Sequence, residues 1–159
     1  MVFNEDLERV MEYFKSSGAF LTSSAEGKTN TMTISWGGIG FLWNKPCFTV
    51  YVRPQRYTRG FIDKSKSFTV SVPFGGLKEE LSICGTKSGK DIDKSEIVNF
   101  IPAKQVSPPI VEGCGAYYEC VVRYVQRFGP DLLPEDIKNN IYPDADFHYV
   151  YFGEIVKRY

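Results

Sequence analysis

Apolar and polar positions along this chain follow two rhythms. Near the start, Leu7, Val10, Met11 and Phe14 recur at i, i+3, i+4 and i+7, which gathers them on one helical face. Asn4 stands as the cap of this helix, Glu5 and Asp6 suit its positive end, and Ser16-Ser17-Gly18 ends it. Beyond Gly18 the period drops to two. Strands are predicted over Ala19–Ser24, Thr31–Trp36, Ile39–Trp43, Cys47–Arg53 and Ser67–Val72, punctuated by Glu26-Gly27, Gly37-Gly38 and Asn44-Lys45-Pro46. Two long strands, Ala116–Phe128 and Phe147–Tyr159, come last. Helices are predicted over Thr58–Lys66 and, from the spacing of Leu77, Leu81 and Cys84, over Gly76–Cys84. An insertion, Pro130–Asp146, carries a further short helix at Glu135–Asn140, and residues 85–95 form a long polar, glycine-bearing loop.

Many short strands with a few helices between them predict a mainly β domain, a barrel or a sandwich. The regular strand–helix alternation of a parallel doubly wound sheet is missing. With 159 residues and no linker, repeat or low-complexity tract, the expectation is one domain over residues 1–159.

Composition narrows the function. Nineteen basic residues balance nineteen acidic ones, which argues against a general nucleic-acid binder. Four cysteines contain no Cys-x-x-Cys pair, and His148 is the single histidine, so the usual zinc spacings cannot be built. The cysteines are expected as buried, reduced thiols. No apolar run approaches a membrane span, and the acidic start Met1 to Asp6 does not read as a signal peptide. A cytoplasmic location is expected. There is no Gly-x-Ser-x-Gly, no Walker loop and no Gly-x-Gly-x-x-Gly, so neither a serine hydrolase elbow nor a Rossmann turn is present.

Polar clusters at strand ends remain as the candidate chemistry. Asn30-Thr31-Met32-Thr33-Ile34-Ser35-Trp36 alternates amide and hydroxyls with apolar residues and could line a flat polar ring, although an ordinary strand reads the same way. Arg53, Arg56, Tyr57, Thr58 and Arg59 surround a strand end and a helix start, where a phosphate gains from guanidinium forks and helix N–H groups; the alternative is a solvated basic rim. Thr86 to Lys94 offers hydroxyls, glycine and lysines that could hold a phosphate or cover a ligand, or form a plain charged loop.

Those clusters, in that order, with Pro46 to Arg53, Glu119-Cys120 and His148 to Val156, resemble the flavin reductase-like proteins of the FMN-binding split barrel, flavoredoxins included. The resemblance runs from about Gly18 to the C-terminus. It implies a six-stranded Greek-key split β-barrel that forms a homodimer, with FMN near the subunit interface and NAD(P)H as electron donor. Asn30, Thr31, Met32, Thr33, Ser35 and Trp36 would line the isoalloxazine and ribityl chain. Arg56, Thr58 and Arg53 would hold the phosphate, and Ser88 with Lys94 would close the site. Many such reductases carry Gly-Asp-His before the last strand, associated with nicotinamide; here Asp146-Phe147-His148 stands there, so the histidine fits and Phe147 replaces the acid. His148 would then be the catalytic residue, titrating near neutrality and giving flavin reduction a pH dependence between roughly 5.5 and 7.5. The implied activity is that of an NAD(P)H-linked flavin reductase. A flavoredoxin-type carrier reduced by a partner protein, or a flavin-binding module without turnover, are the alternatives.

Overall fold

The computed structural model describes residues Met1–Tyr159. Helix α1 (Leu7–Ser16) leads into β1 (Ala19–Ala25), β2 (Lys28–Ile34), β3 (Gly37–Leu42) and β4 (Lys45–Val52). Next come α2 (Tyr57–Ser65), β5 (Ser67–Val72), α3 (Lys78–Thr86) and a 3₁₀ turn at Lys94–Glu96. A short pair, β6 (Phe100–Ile101) and β7 (Ile110–Val111), precedes β8 (Ala116–Arg127), α4 (Glu135–Ile141) and β9 (Tyr149–Arg158).

Seven strands form one antiparallel sheet in the order β2-β1-β5-β8-β9-β4-β3, so β2 and β3 are its two edges. Those edges are consecutive in sequence, joined only by Ser35 and Trp36, so the sheet must curl until they meet. The curl encloses one core: Leu21, Met32, Phe48, Val50, Phe68, Val70, Tyr118 and Ile155 come from six different strands and pack together. Val10 and Phe14 of α1 and Ile62 of α2 join them. The long connections that carry β1 to β5 and β4 to β9 give the Greek-key order of a split barrel. Outside the barrel, α3 sets Leu81 and Cys84 against Phe20, Val98 and Val111.

Local chemistry moves several boundaries. Glu26 and Gly27 both have positive φ (54° and 74°), the signature of a two-residue hairpin turn, and pair Ala25 with Lys28. Strand β2 therefore starts at Lys28 rather than Thr31, and Ser35-Trp36 leave the ladder to reach β3. Trp43 and Asn44 make the next hairpin at φ 54° and 58°, so β4 begins at Lys45 and Pro46 sits inside it opposite Phe41. Asn4 does not cap α1. Asp6 holds the cap position in a left-handed conformation without a side-chain bond, and its carboxylate instead accepts from Arg158 at 3.2 Å. Strand β9 starts two residues later than expected, leaving Phe147 and His148 ahead of it.

Glu119 shows how a charge is kept inside this fold. Fully buried on β8, its carboxylate accepts the backbone N–H groups of Lys104 (2.7 Å), Gln105 (2.6 Å) and Val106 (3.1 Å) and the Tyr159 hydroxyl (2.9 Å). Four donors replace lost water, and they strap the segment between β6 and β7 to the barrel wall. The four cysteines stand apart as free thiols, Cys47, Cys84 and Cys120 buried and Cys114 half-buried. No helix is long and apolar enough to cross a membrane.

Candidate functional site

A cleft opens where β2 and β4 end. Its wider part, about 290 Å³, lies between Met32 to Trp36 on one side and Tyr51, Arg53 and His148 on the other. A narrower part of about 190 Å³ runs on under the head of α2 and the 86–89 turn. Met32 and Arg56 stand in the walls of both, so the two parts are continuous.

The narrow part is built for an anion. Residues Arg56, Tyr57 and Thr58 are the first turn of α2, where backbone N–H groups lack helical partners. Facing them are Thr86, Lys87, Ser88 and Gly89. Neither of these two parts has an aspartate or glutamate in its wall, while a larger adjoining hollow that shares Asn30, Tyr57, Gly89 and Lys94 with the narrow part also carries Asp91 and Asp93. Arg56 is held from behind: its Nη1 donates to the Gly85 carbonyl at 3.1 Å and its Nη2 to that of Cys84 at 3.4 Å. Lys94, buried, donates from Nζ to the Thr31 carbonyl at 2.8 Å and the Cys84 carbonyl at 3.0 Å. Both cations thus sit on the C-terminal carbonyls of α3, the negative end of that helix, without a carboxylate between them. Burial lowers the pKa of Arg56 and pulls that of Lys94 down to about 8. The same burial raises the neighbouring Cys84 thiol, which stays protonated.

Asn30 links the strand to the helix, its Nδ2 donating to Thr58 Oγ1 at 2.8 Å. Gly89 packs against this pair so closely that a Cβ there would overlap the Asn30 amide and come within 2.8 Å of the Tyr57 ring. Only glycine lets the 86–89 turn approach.

The wide part is flatter, with Met32, Trp36 and Tyr51 among its walls. Trp36, 45% exposed, lies with its ring centroid 4.9 Å from that of His148. His148 is buried, and its Nδ1 is 2.7 Å from the Tyr142 hydroxyl. Burial, and after it the Arg53 guanidinium, bring the imidazole down to about 4, so it is neutral at physiological pH. The expectation that His148 titrates near neutrality is therefore corrected: too little water reaches the ring to stabilise its cation, and a positive charge already stands beside it.

The sequence candidates do not all meet in the cleft. Asn30, Met32, Arg56, Thr58, Ser88 and Lys94 share the narrow part, and Met32, Thr33, Ser35, Trp36, Arg53 and His148 the wide one. Thr31 lines neither part. Its hydroxyl turns to the outer face of the sheet, bonded to Thr22 (2.9 Å) and the Leu21 carbonyl (3.2 Å), because successive strand residues point to opposite faces. Thr33, also on that face, spends its hydroxyl on the Leu81 carbonyl at 2.5 Å. Arg53 stands at the ring end rather than the phosphate end, and its guanidinium is taken: it pairs with Asp146 at 2.7 Å and donates to the Ile141 carbonyl at 3.2 Å. Sequence reasoning missed Tyr51, Gln55 and Tyr142, which carried no local signal; Tyr57 was named in the basic cluster but given no role.

Comparison with known proteins places the fold. A protein of Archaeoglobus fulgidus is 27% identical over 143 residues, covering 88% of this chain and 80% of its own. The crystal structure of a flavoredoxin from Methanosarcina acetivorans superposes with a TM-score of 0.73 at 26% identity, over 90% of this chain and 67% of that one. An FMN-binding protein from Thermus thermophilus, crystallised with 1-cyclohex-2-enone, gives 0.71 at 26% identity over 90% and 69%. The model of the flavin reductase like domain matches residues 11–159, nearly the whole chain, and the chain belongs to that family.

Proposed function

We propose that this chain binds FMN in the cleft and uses it to pass electrons from NAD(P)H to an acceptor. The observation that carries the reading is the donor set of the narrow part. A helix start, an arginine locked from behind, a buried lysine and two hydroxyls surround about 190 Å³ with no carboxylate, which is the chemistry a phosphate monoester needs. The wide part adjoins it, where Trp36, Tyr51 and Met32 offer surfaces for a fused ring among polar groups that suit its heteroatoms.

Arg56, Thr58, Ser88 and Lys94 would hold the phosphate, and the segment Asn30 to Trp36 the ribityl chain and ring. FMN there would supply hydride acceptance and electron transfer. The chain's own work is positioning: Arg56 needs no reorganisation because two carbonyls already fix its plane, and the aromatic rings keep water from one side of the cleft. His148, its pKa brought down to about 4, is a weak base, and no carboxylate stands in the walls, which suits a reaction whose proton and electron chemistry belongs to the cofactor.

The exposed rings also support a second copy of the chain as partner. Trp43 of the β3–β4 turn and Tyr124 of β8 both pack against Phe152 of β9, with Trp43 53% and Tyr124 46% exposed. Leu132 is 82% exposed beside Phe152 in a further apolar hollow. A two-fold pairing covers such surface at least cost in new contacts. Light scattering tests it; a monomer mass of 18.1 kDa at micromolar concentration removes it.

A carrier role, with electrons arriving from a protein instead of NAD(P)H, draws support from Trp36, which stands at the ring end open to a docked partner. One experiment separates the readings. Purified protein is titrated with FMN, following flavin fluorescence, and then mixed with NADH or NADPH. Binding with loss of absorbance near 340 nm supports the reductase; binding with no nicotinamide oxidation supports the carrier; no binding sinks the proposal. Arg56→Ala should weaken FMN about tenfold or more, since a hydrogen bond to a charged group contributes roughly 1.5–3 kcal/mol. Riboflavin should be much less affected, and equal losses would mean that Arg56 acts through folding.

A further inference from the structure

The 130–146 connection, which the flavin reading leaves without a task, ends on the one histidine of the chain. Its descending leg is gripped by the barrel at several points. Asp146 accepts from Arg53 (2.7 Å) and from Gln55 Nε2 (2.9 Å), and Arg53 also reaches the Ile141 carbonyl. Arg127 of β8 donates to the carbonyls of Ala145 (3.2 Å) and Phe147 (3.4 Å). These grips fix Tyr142, 5% exposed, with its ring under the Arg53 guanidinium at 5.2 Å and nearly perpendicular to the His148 ring.

We propose that Tyr142 is a positioning residue: its hydroxyl donates to His148 Nδ1 and so fixes the imidazole as the tautomer that presents an Nε2–H to an acceptor oxygen of the cleft's occupant. Three observations carry it. The Oη–Nδ1 distance of 2.7 Å is a full hydrogen bond between two buried groups. The Tyr142 hydroxyl makes no other hydrogen bond in the chain, so its proton has no acceptor but Nδ1. Nε2 has no partner in the chain and is not among the enclosed polar atoms that lack one, while His148 forms part of the cleft wall; the free nitrogen therefore opens on the cleft. A neutral imidazole has one proton, and a donor at Nδ1 sends it to Nε2.

The groups around this pair are Arg53 and Asp146, paired with each other, and the rings of Trp36 and Phe147. None of them competes for either ring nitrogen. The insertion thereby sets the polarity of the cleft at its ring end: a neutral donor, fit for a carbonyl oxygen such as that of a carboxamide. Only the identity of that carbonyl rests on the flavin–nicotinamide reading; the tautomer does not.

The single histidine makes the test direct, because its two ring nitrogens are the only imidazole signals of ¹⁵N-labelled protein. In wild-type protein, with and without FMN, Nδ1 should be of the unprotonated type and Nε2 of the protonated type. Tyr142→Phe, which keeps the ring, should bring both nitrogens toward averaged shifts. In FMN-loaded protein the same change should slow flavin reduction by NAD(P)H about two- to tenfold, the value of one neutral hydrogen bond. In a His148→Gln background it should have no further effect, because the two act as one unit. A proton on Nδ1 in wild type, unchanged shifts in Tyr142→Phe, or a slowing that persists without His148 would each overturn the proposal. Failure of FMN to bind would remove the flavin reading and leave the tautomer result standing.

Discussion

Acidification is the perturbation that exposes His148 most clearly. Folding lowers its pKa from 6.5 to about 4, so the unfolded chain binds a proton that the folded one refuses. Stability from this group is complete above the unfolded value and is lost as the pH falls from about 6.5 toward 4. At pH 5 the unfolded histidine is almost fully protonated and the folded one almost wholly neutral, which places the loss at about 2 kcal/mol. The depressed carboxylates Asp146 and Glu154 start from 3.8 and 4.5, so their share comes mostly below that pH. Urea unfolding at pH 7.5 and pH 5.0 measures the difference. With a slope of roughly 1–3 kcal/mol per molar, the midpoint should fall by about 1 M in the wild type. In His148→Gln most of that fall should vanish, whatever the variant's absolute stability. An NMR titration of the one histidine should find it still neutral at pH 5.5, and reduction of bound flavin should be flat from roughly pH 5.5 to 7.5. A folded-state histidine titrating near 6.5, or the same acid loss in both proteins, would falsify the burial argument.

Lys94 should act at the other end of the scale. Its ammonium is lost near pH 8 while the phosphate of FMN stays doubly charged, so FMN affinity should fall as the pH rises through 8 to 9, and Lys94→Met should abolish that dependence. Gly89→Ala should weaken FMN binding while moving the unfolding midpoint little, because the added methyl displaces an exposed turn from Asn30 and Tyr57; an unchanged affinity would mean the turn does not close on the phosphate. Glu119→Ala should cost about 3–5 kcal/mol, since three backbone N–H groups and a hydroxyl lose a charged acceptor, and exchange of the Lys104, Gln105 and Val106 amides should rise sharply. Gly153→Ala should destabilise by about 1–3 kcal/mol through overpacking, its Cβ falling 2.5 Å from the Phe68 ring and 2.9 Å from Cys120 Cβ; thermal unfolding reads this directly.

How much of this was legible in the chain follows from what each signal encodes. The two-residue period of Cys47 to Val52 and Ser67 to Val72 survives because one face of each strand must be apolar whatever its neighbours are. Strand ends were misplaced where the turn was set by backbone sign rather than composition, as at Trp43-Asn44, since a tryptophan in the left-handed region has no sequence signature. Within the site, the stretch Asn30 to Trp36 was recognised as a unit, yet alternation sends Thr31 to the opposite face. Arg53 and Arg56 read as one basic cluster, but Asp146, ninety-three residues on from Arg53, decides that they part company. Tyr142 was invisible for the same reason: its meaning lies in a histidine six residues away that only the folded connection brings to its hydroxyl.

The sheet edge β2 is paired on one side only, and the cleft lies at the seam between its C-terminal end and that of β4. Widening that seam breaks no rung of the β-ladder, because none spans it. The aperture through which a bulky ring must pass is therefore governed by side-chain packing and by the two residues Ser35 and Trp36, while the remaining six strand pairings stay closed. A barrel sealed by hydrogen bonds all round would have to melt part of its wall to admit the same guest; here admission and structural integrity are mechanically independent.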